Sequence, residues 1–117
     1  MTDTRVIKLA RVLVHYSLKL KQGDKFIISA SEPAMPLVKE VYREALKAGA
    51  HPEVDVSLSA LREILLKEGT EEQITTISPR NELAVNTYDA MLTIWGDYNT
   101  KPFAGVNPKI KNVIMNP

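Results

Sequence analysis

Lys25-Phe26-Ile27-Ile28-Ser29-Ala30 and His51-Pro52-Glu53-Val54-Asp55-Val56 flank a helical stretch from Met35 to Ala48, and together they decide the fold. Phe26, Ile27 and Ile28 form an apolar run without alternation between Gly23-Asp24 and Ser31-Glu32-Pro33, the pattern of a strand covered on both faces and hence of a parallel sheet. Leu37, Val38, Val41, Tyr42, Ala45, Leu46 and Ala48 recur at helical spacing, with Lys39, Glu40, Arg43, Glu44 and Lys47 on the other side. Pro36 is tolerated only in a first turn, so the helix is predicted to begin near Ala34 or Met35, and Gly49 supplies the residue that ends it. Residues 25–56 therefore read as one strand, crossover helix and second strand. The unit specifies an α/β domain with a small, mostly parallel sheet of three to four strands and flanking helices.

Working outward, Thr2 to Thr4 can cap a first helix whose Val6, Ile7, Ala10, Leu13, Val14, Ser17 and Leu18 keep helical rhythm to near Leu20. Gln22-Gly23-Asp24 turns the chain into the first strand. Beyond the second strand, Leu58, Leu61, Ile64 and Leu65 predict a short helix closing at Gly69, and Thr70-Glu71-Glu72-Gln73 has capping-box spacing for another, stopped by Pro79. Ser78-Pro79 opens one more turn carrying Leu83, Ala84 and Thr87, and Tyr88-Asp89 leads into a strand from Ala90 to Trp95. Gly96 to Gly105 reads as loop, and Asn107-Pro108 as a helix start. The closing residues Val113-Ile114-Met115 are expected to have little chain to pack against. Residues 1–117 are accordingly read as a single α/β domain, the N-terminal piece of a longer protein.

Fifteen basic against fourteen acidic residues leave no net field for nucleic acid or an anionic membrane, so neither is expected as a partner. There is no cysteine, which removes disulfides, zinc ribbons and thiol nucleophiles. Met1-Thr2-Asp3-Thr4-Arg5 lacks a hydrophobic signal core, and no apolar run has the length of a membrane span; cytoplasmic localisation is the expectation.

Chemistry is sparse. His15 and His51 lie on different elements and in no metal-ligand spacing, and a structural role fits each better. Glu71-Glu72 reads as first-turn capping charge. Glu53 and Asp55 share a strand face and read as a solvated edge before a site. The segment Ala30-Ser31-Glu32-Pro33-Ala34-Met35-Pro36 has no glycine to admit a pyrophosphate, and no serine lies in a nucleophile elbow. Ligands of open α/β sheets gather at strand carboxyl ends, so Ser31, Glu32, Asp97, Tyr98 and Asn99 are the candidate contacts, although a plain turn explains Ser31 and Glu32 as well.

Residues 9–25, from Leu9 to Lys25, and residues 36–52, from Pro36 to Pro52, resemble the N-terminal domain of the thermophilic metalloaminopeptidase family, the aminopeptidase T, aminopeptidase S and PepS type. Tyr88-Asp89-Ala90, Asn99-Thr100 and Gly105-Val106-Asn107-Pro108 fit the same pattern, so the likeness covers nearly the whole chain. The resemblance implies an exopeptidase that removes N-terminal amino acids from peptides with two divalent metal ions, zinc or cobalt, in a cytoplasmic homodimer. It also implies that the Glu, His and Asp ligands belong to a C-terminal domain whose motifs are not among these residues. No catalytic or metal-binding residue is therefore assigned here, and no cofactor is expected in this chain. The peptide substrate would meet the C-terminal domain, while this part walls the cavity and builds the assembly. Two other readings compete: a free-standing module that pairs through Val113 to Met115, and a small-ligand domain using the strand-end loops.

Overall fold

The computed structural model describes residues 3–76, 79, 87–94 and 111–115. Four strands, β1 (Lys25–Ser31), β2 (His51–Ser57), β3 (Ala90–Ile94) and β4 (Lys111–Met115), form one sheet in the order β2-β1-β3-β4, with every neighbouring pair parallel. Ile28 lies between Val54 and Leu92 in register, and Leu92 is in turn opposite Val113. The mostly parallel sheet of three to four strands is thus, among the described residues, a wholly parallel one of four.

Helix α1 (Thr4–Arg11) runs directly into a π-helical segment, Val12–Ser17. The expected capping region holds: the Asp3 side chain accepts the Arg5 N–H at 2.8 Å. The sequence rhythm carried no sign of the π segment, which departs from a regular helix over its second half. Lys19 follows with φ 48°, the left-handed residue that lets the chain leave the helix. After β1 comes a 3₁₀ turn, Glu32–Ala34, where a simple turn was expected, and then α2 (Met35–Lys47) with Pro36 in its first turn. Two further helices are α3 (Ser59–Glu68) and α4 (Glu71–Thr75). The capping box of α4 forms as its spacing predicts: Gln73 N–H donates to Thr70 Oγ1 and Thr70 N–H to Gln73 Oε1. Among the described residues, no helix is long and apolar enough to cross a membrane. Leu83, Ala84, Trp95 and the expected loop from Gly96 to Gly105 lie outside the described residues, as do Asn107 and Pro108.

One face of the sheet meets α1, the π segment and α2. Phe26, Ile28 and Ala30 of β1 and Ala90, Leu92 and Ile94 of β3 pack there with Ala10, Leu13, Val14, Val38, Val41 and Ala45. Alternate residues turn to the other face, where Ile27, Met91 and Thr93 are buried too, as a strand run without alternation requires. The chain end differs from its expectation. Residues 111–115 form a strand on the edge of the sheet, and Val113 and Met115 pack against the core. Asn107-Pro108 lie outside the described residues, and residues 111–115 pair with the open edge of β3, which no local signal registers.

Gly49 closes α2 with φ 83°, and a Cβ there would come within 3.1 Å of the Gln22 side chain. Gly49→Ala is expected to lower stability by about 1–2 kcal/mol, because an L-residue is strained in the left-handed region and Gln22 must also move. A shift of the urea midpoint measures it.

Candidate functional site

The amino end of the sheet is stitched shut. Asp89 N–H donates to the Lys25 carbonyl at 2.8 Å, Lys25 N–H donates to Asp89 Oδ2 at 2.9 Å, and Lys111 N–H reaches the Asp89 carbonyl at 3.2 Å. Asp24 does the same for β2, its carbonyl accepting the His51 N–H at 2.8 Å.

The carboxyl end is different. Because β1 is paired with β2 on one side and β3 on the other, the carboxyl ends of β1 and β3 lie side by side, at the point where the strand order reverses direction from β1. Ser31 and Glu32 stand at the end of β1, with Glu32 exposed in the 3₁₀ turn. Asp97 and Asn99 follow β3 and lie outside the described residues, as does Tyr98. The strand order therefore makes neighbours of the two strand ends that precede the predicted loops.

A polar row missed by the sequence reading crosses this end of the sheet. Asp55 of β2, Ser29 of β1 and Thr93 of β3 are in register on the face turned away from α2, with Ser57 and Ser31 one step further on. The hydroxyls of Ser29 and Ser31 are buried without a hydrogen-bond partner among the described residues, although Ser31 occupies the cap position of the 3₁₀ turn. The signal was the pair of serines at period two inside an otherwise apolar strand. On the same face Tyr88 donates its hydroxyl to the Glu53 carboxylate, so Glu53 is tied to the entry of β3 and is more than a solvated edge.

The remaining titratable cluster lies on the helical layer. His15 Nε2–H donates to Glu44 Oε1 at 3.1 Å, and Lys47 Nζ donates to Glu44 Oε2 at 3.2 Å. Burial opposes the charge on Glu44, but the hydrogen bonds from His15 and Lys47 and the charges of Lys47 and Arg11 outweigh it, so its pKa falls below the ordinary 4.5. A carboxylate with a depressed folded-state pKa adds stability that is complete above the unfolded value and is lost as pH falls through the folded one. Acid unfolding below about pH 4.5 is therefore expected to be shallower in Glu44→Gln, read from urea midpoints across that range. This cluster joins α1's continuation to α2 and is structural.

Between α2 and β2 runs an open apolar groove of about 480 Å³, lined by Met35, Val38, Tyr42, Leu46 and Val54, with Lys39 and Arg43 on its rim. Among the described residues, no group of three or more His, Asp or Glu side chains could hold a metal ion. His15 is committed to Glu44, and His51 sits at the amino end of β2, away from the polar row. The described residues thus do not fit the metal pair implied by the resemblance, and no chemical step is assigned to them.

An open, parallel α/β domain with a polar row across β2, β1 and β3 on the face turned away from α2 is the class these observations define. The model of the thermophilic metalloprotease family, M29, matches residues 2–115, and the chain belongs to that family. Among solved structures, wild-type AmpT from Thermus thermophilus has the same fold, with a TM-score of 0.72 at 19% sequence identity. That match covers 95% of this chain and 35% of the AmpT chain, so the chain spans about a third of its solved relative. A search of curated proteins gives no match.

Proposed function

We propose that this chain is the non-catalytic N-terminal domain of a metal-dependent aminopeptidase. In this reading the enzyme removes N-terminal amino acids from peptides in the cytoplasm with a pair of zinc or cobalt ions, and works as a homodimer. The ions and their Glu, His and Asp ligands belong to a second domain, and peptide binds mainly there. The present domain contributes one wall of the cavity through the carboxyl ends of β1 and β3, where Ser31 and Glu32 stand and from which Asp97 and Asn99 follow.

The observation that carries the reading is the family match along residues 2–115 in a chain that spans 35% of its solved relative. The test is hydrolysis of a panel of aminoacyl p-nitroanilides by a protein that joins this domain to a metal-bearing M29 domain. Metal-dependent release of p-nitroaniline is expected, and failure across the panel would remove the reading.

A further inference from the structure

In the helical layer, one element has a sequence that suits one conformation and a backbone that adopts another. Ala10, Leu13, Val14 and Leu18 are buried and lie at the spacing of a regular α-helix, so an α register over residues 12–18 would also keep them on one stripe. The chain takes the π register there instead, with the Leu18 N–H donating to the Leu13 carbonyl, five residues back, at 2.8 Å. The Leu20 N–H then reaches the Val14 carbonyl, six residues back, at 2.9 Å, and Lys19 turns left-handed with φ 48°. Such wide turns are rare and often sit at functional sites. Apolar burial does not choose between the registers, so polar contacts must.

Two such contacts hold the π register. Within the segment, His15 Nε2 meets Glu44 Oε1 of α2 at 3.1 Å. Just beyond its end, the Lys19 carbonyl accepts Lys111 Nζ, from the start of β4, at 3.0 Å. Lys111 also faces Asp24 Oδ2 at 3.4 Å, and Asp24 accepts the Lys21 N–H, so helix end, turn and edge strand share one lysine. Tightening from π to α takes up one residue, and each residue is about 100° of helical rotation. That rotation shifts His15 against Glu44 and carries the Lys19 carbonyl away from Lys111. Leu18 would stay on the apolar stripe, four residues after Val14, while its N–H would pass from the Leu13 to the Val14 carbonyl.

We infer that residues 12–20 form a two-register element, π while His15 and Lys111 hold it and α when they let go, which couples the first helix to β4. The coupling is reciprocal. Whatever draws Lys111 away from Lys19 favours the α register, and whatever favours the α register loosens β4. It lies within the 117-residue chain and needs no aminopeptidase activity.

Nuclear magnetic resonance of the isotopically labelled 117-residue chain tests it. In the wild type, the scalar coupling across the hydrogen bond is expected to join the Leu18 nitrogen to the Leu13 carbonyl carbon. In Lys111→Met and in His15→Ala, relaxation dispersion at Leu18, Lys19 and Leu20 should report exchange with a second state. Its population should rise about threefold to tenfold over wild type, the scale of one hydrogen bond to a charged group at a partly exposed position. His15→Gln, which keeps a side-chain N–H for Glu44, should behave as the wild type does. His15→Ala should also speed amide hydrogen exchange in β4 while leaving β1 unchanged, which the loss of a local contact alone would not do. A Leu18 N–H bonded to Val14 in the wild type contradicts the inference. So does an absence of exchange at residues 18–20 in both variants, or β4 hydrogen exchange in His15→Ala that rises no more than that of β1.

Discussion

Phe26→Ala is expected to lower the unfolding free energy by about 3–5 kcal/mol, the range for deleting a large aromatic side chain from a core that cannot collapse around the void. Phe26 is fully buried and begins the helix-covered face of β1, in register with Pro52 and Ala90. Its neighbours in the core come from the first helix, α2 and β3, so no single element can move in to close the cavity. The loss should appear as a lower urea midpoint with an unchanged slope, the sign of altered stability without altered compactness. Ile114→Ala is the control. Ile114 is on the edge strand and 55% exposed, and its truncation should cost less than about 1 kcal/mol.

The second large effect is expected at Asp24. Its carboxylate is buried, accepts the Lys21 N–H at 3.1 Å, and faces Lys111 Nζ at 3.4 Å. Lys111 also donates to the Lys19 carbonyl at 3.0 Å, so one lysine at the start of β4 joins the strand to the turn after the first helix. Asp24→Ala strands the Lys21 N–H and releases Lys111 together, and is expected to cost about 2–3 kcal/mol, the scale for losing a charged hydrogen-bond acceptor. Lys111→Met removes only the partly exposed partner and should cost about 0.5–1 kcal/mol, since solvent screens that side of the pair. Hydrogen exchange separates the two. Both variants should speed exchange along β4, but only Asp24→Ala should also speed it at Lys21.

The strand, helix and strand of residues 25–56 and the start of α4 were legible because their signals are local. The apolar run of Phe26 to Ile28, Pro36 in a first turn, Gly49 at a left-handed position and the Thr70 to Gln73 capping box each act within a few residues, and each is found where the pattern put it. Strand β4 was not legible. Five residues from Lys111 to Met115 become a strand because β3 offers an open edge, and strand preference depends on such neighbours more than on composition. The π segment from Val12 to Ser17 escaped for a related reason, since its apolar residues keep a spacing that a regular helix also satisfies.

The candidate site was half legible. A general rule about strand ends led to Ser31, Glu32, Asp97 and Asn99, but only the strand order puts the ends of β1 and β3 side by side. The row of Asp55, Ser29 and Thr93 needed the register as well. The apolar stripe of α3 misled in the opposite sense. Leu61, Ile64 and Leu65 have the periodicity of a core-facing helix, yet no residue of α3 is buried against the described residues.

Under the proposed function, this domain supports an M29 aminopeptidase whose metal ligands belong to a second domain. Hydrolysis of aminoacyl p-nitroanilides by the 117-residue chain, assayed with added zinc or cobalt beside the same domain joined to a metal-bearing M29 domain, tests it most directly. No release of p-nitroaniline by the chain alone and metal-dependent release by the joined protein are expected. Turnover by the chain alone, abolished by chelation and restored by metal, would contradict it.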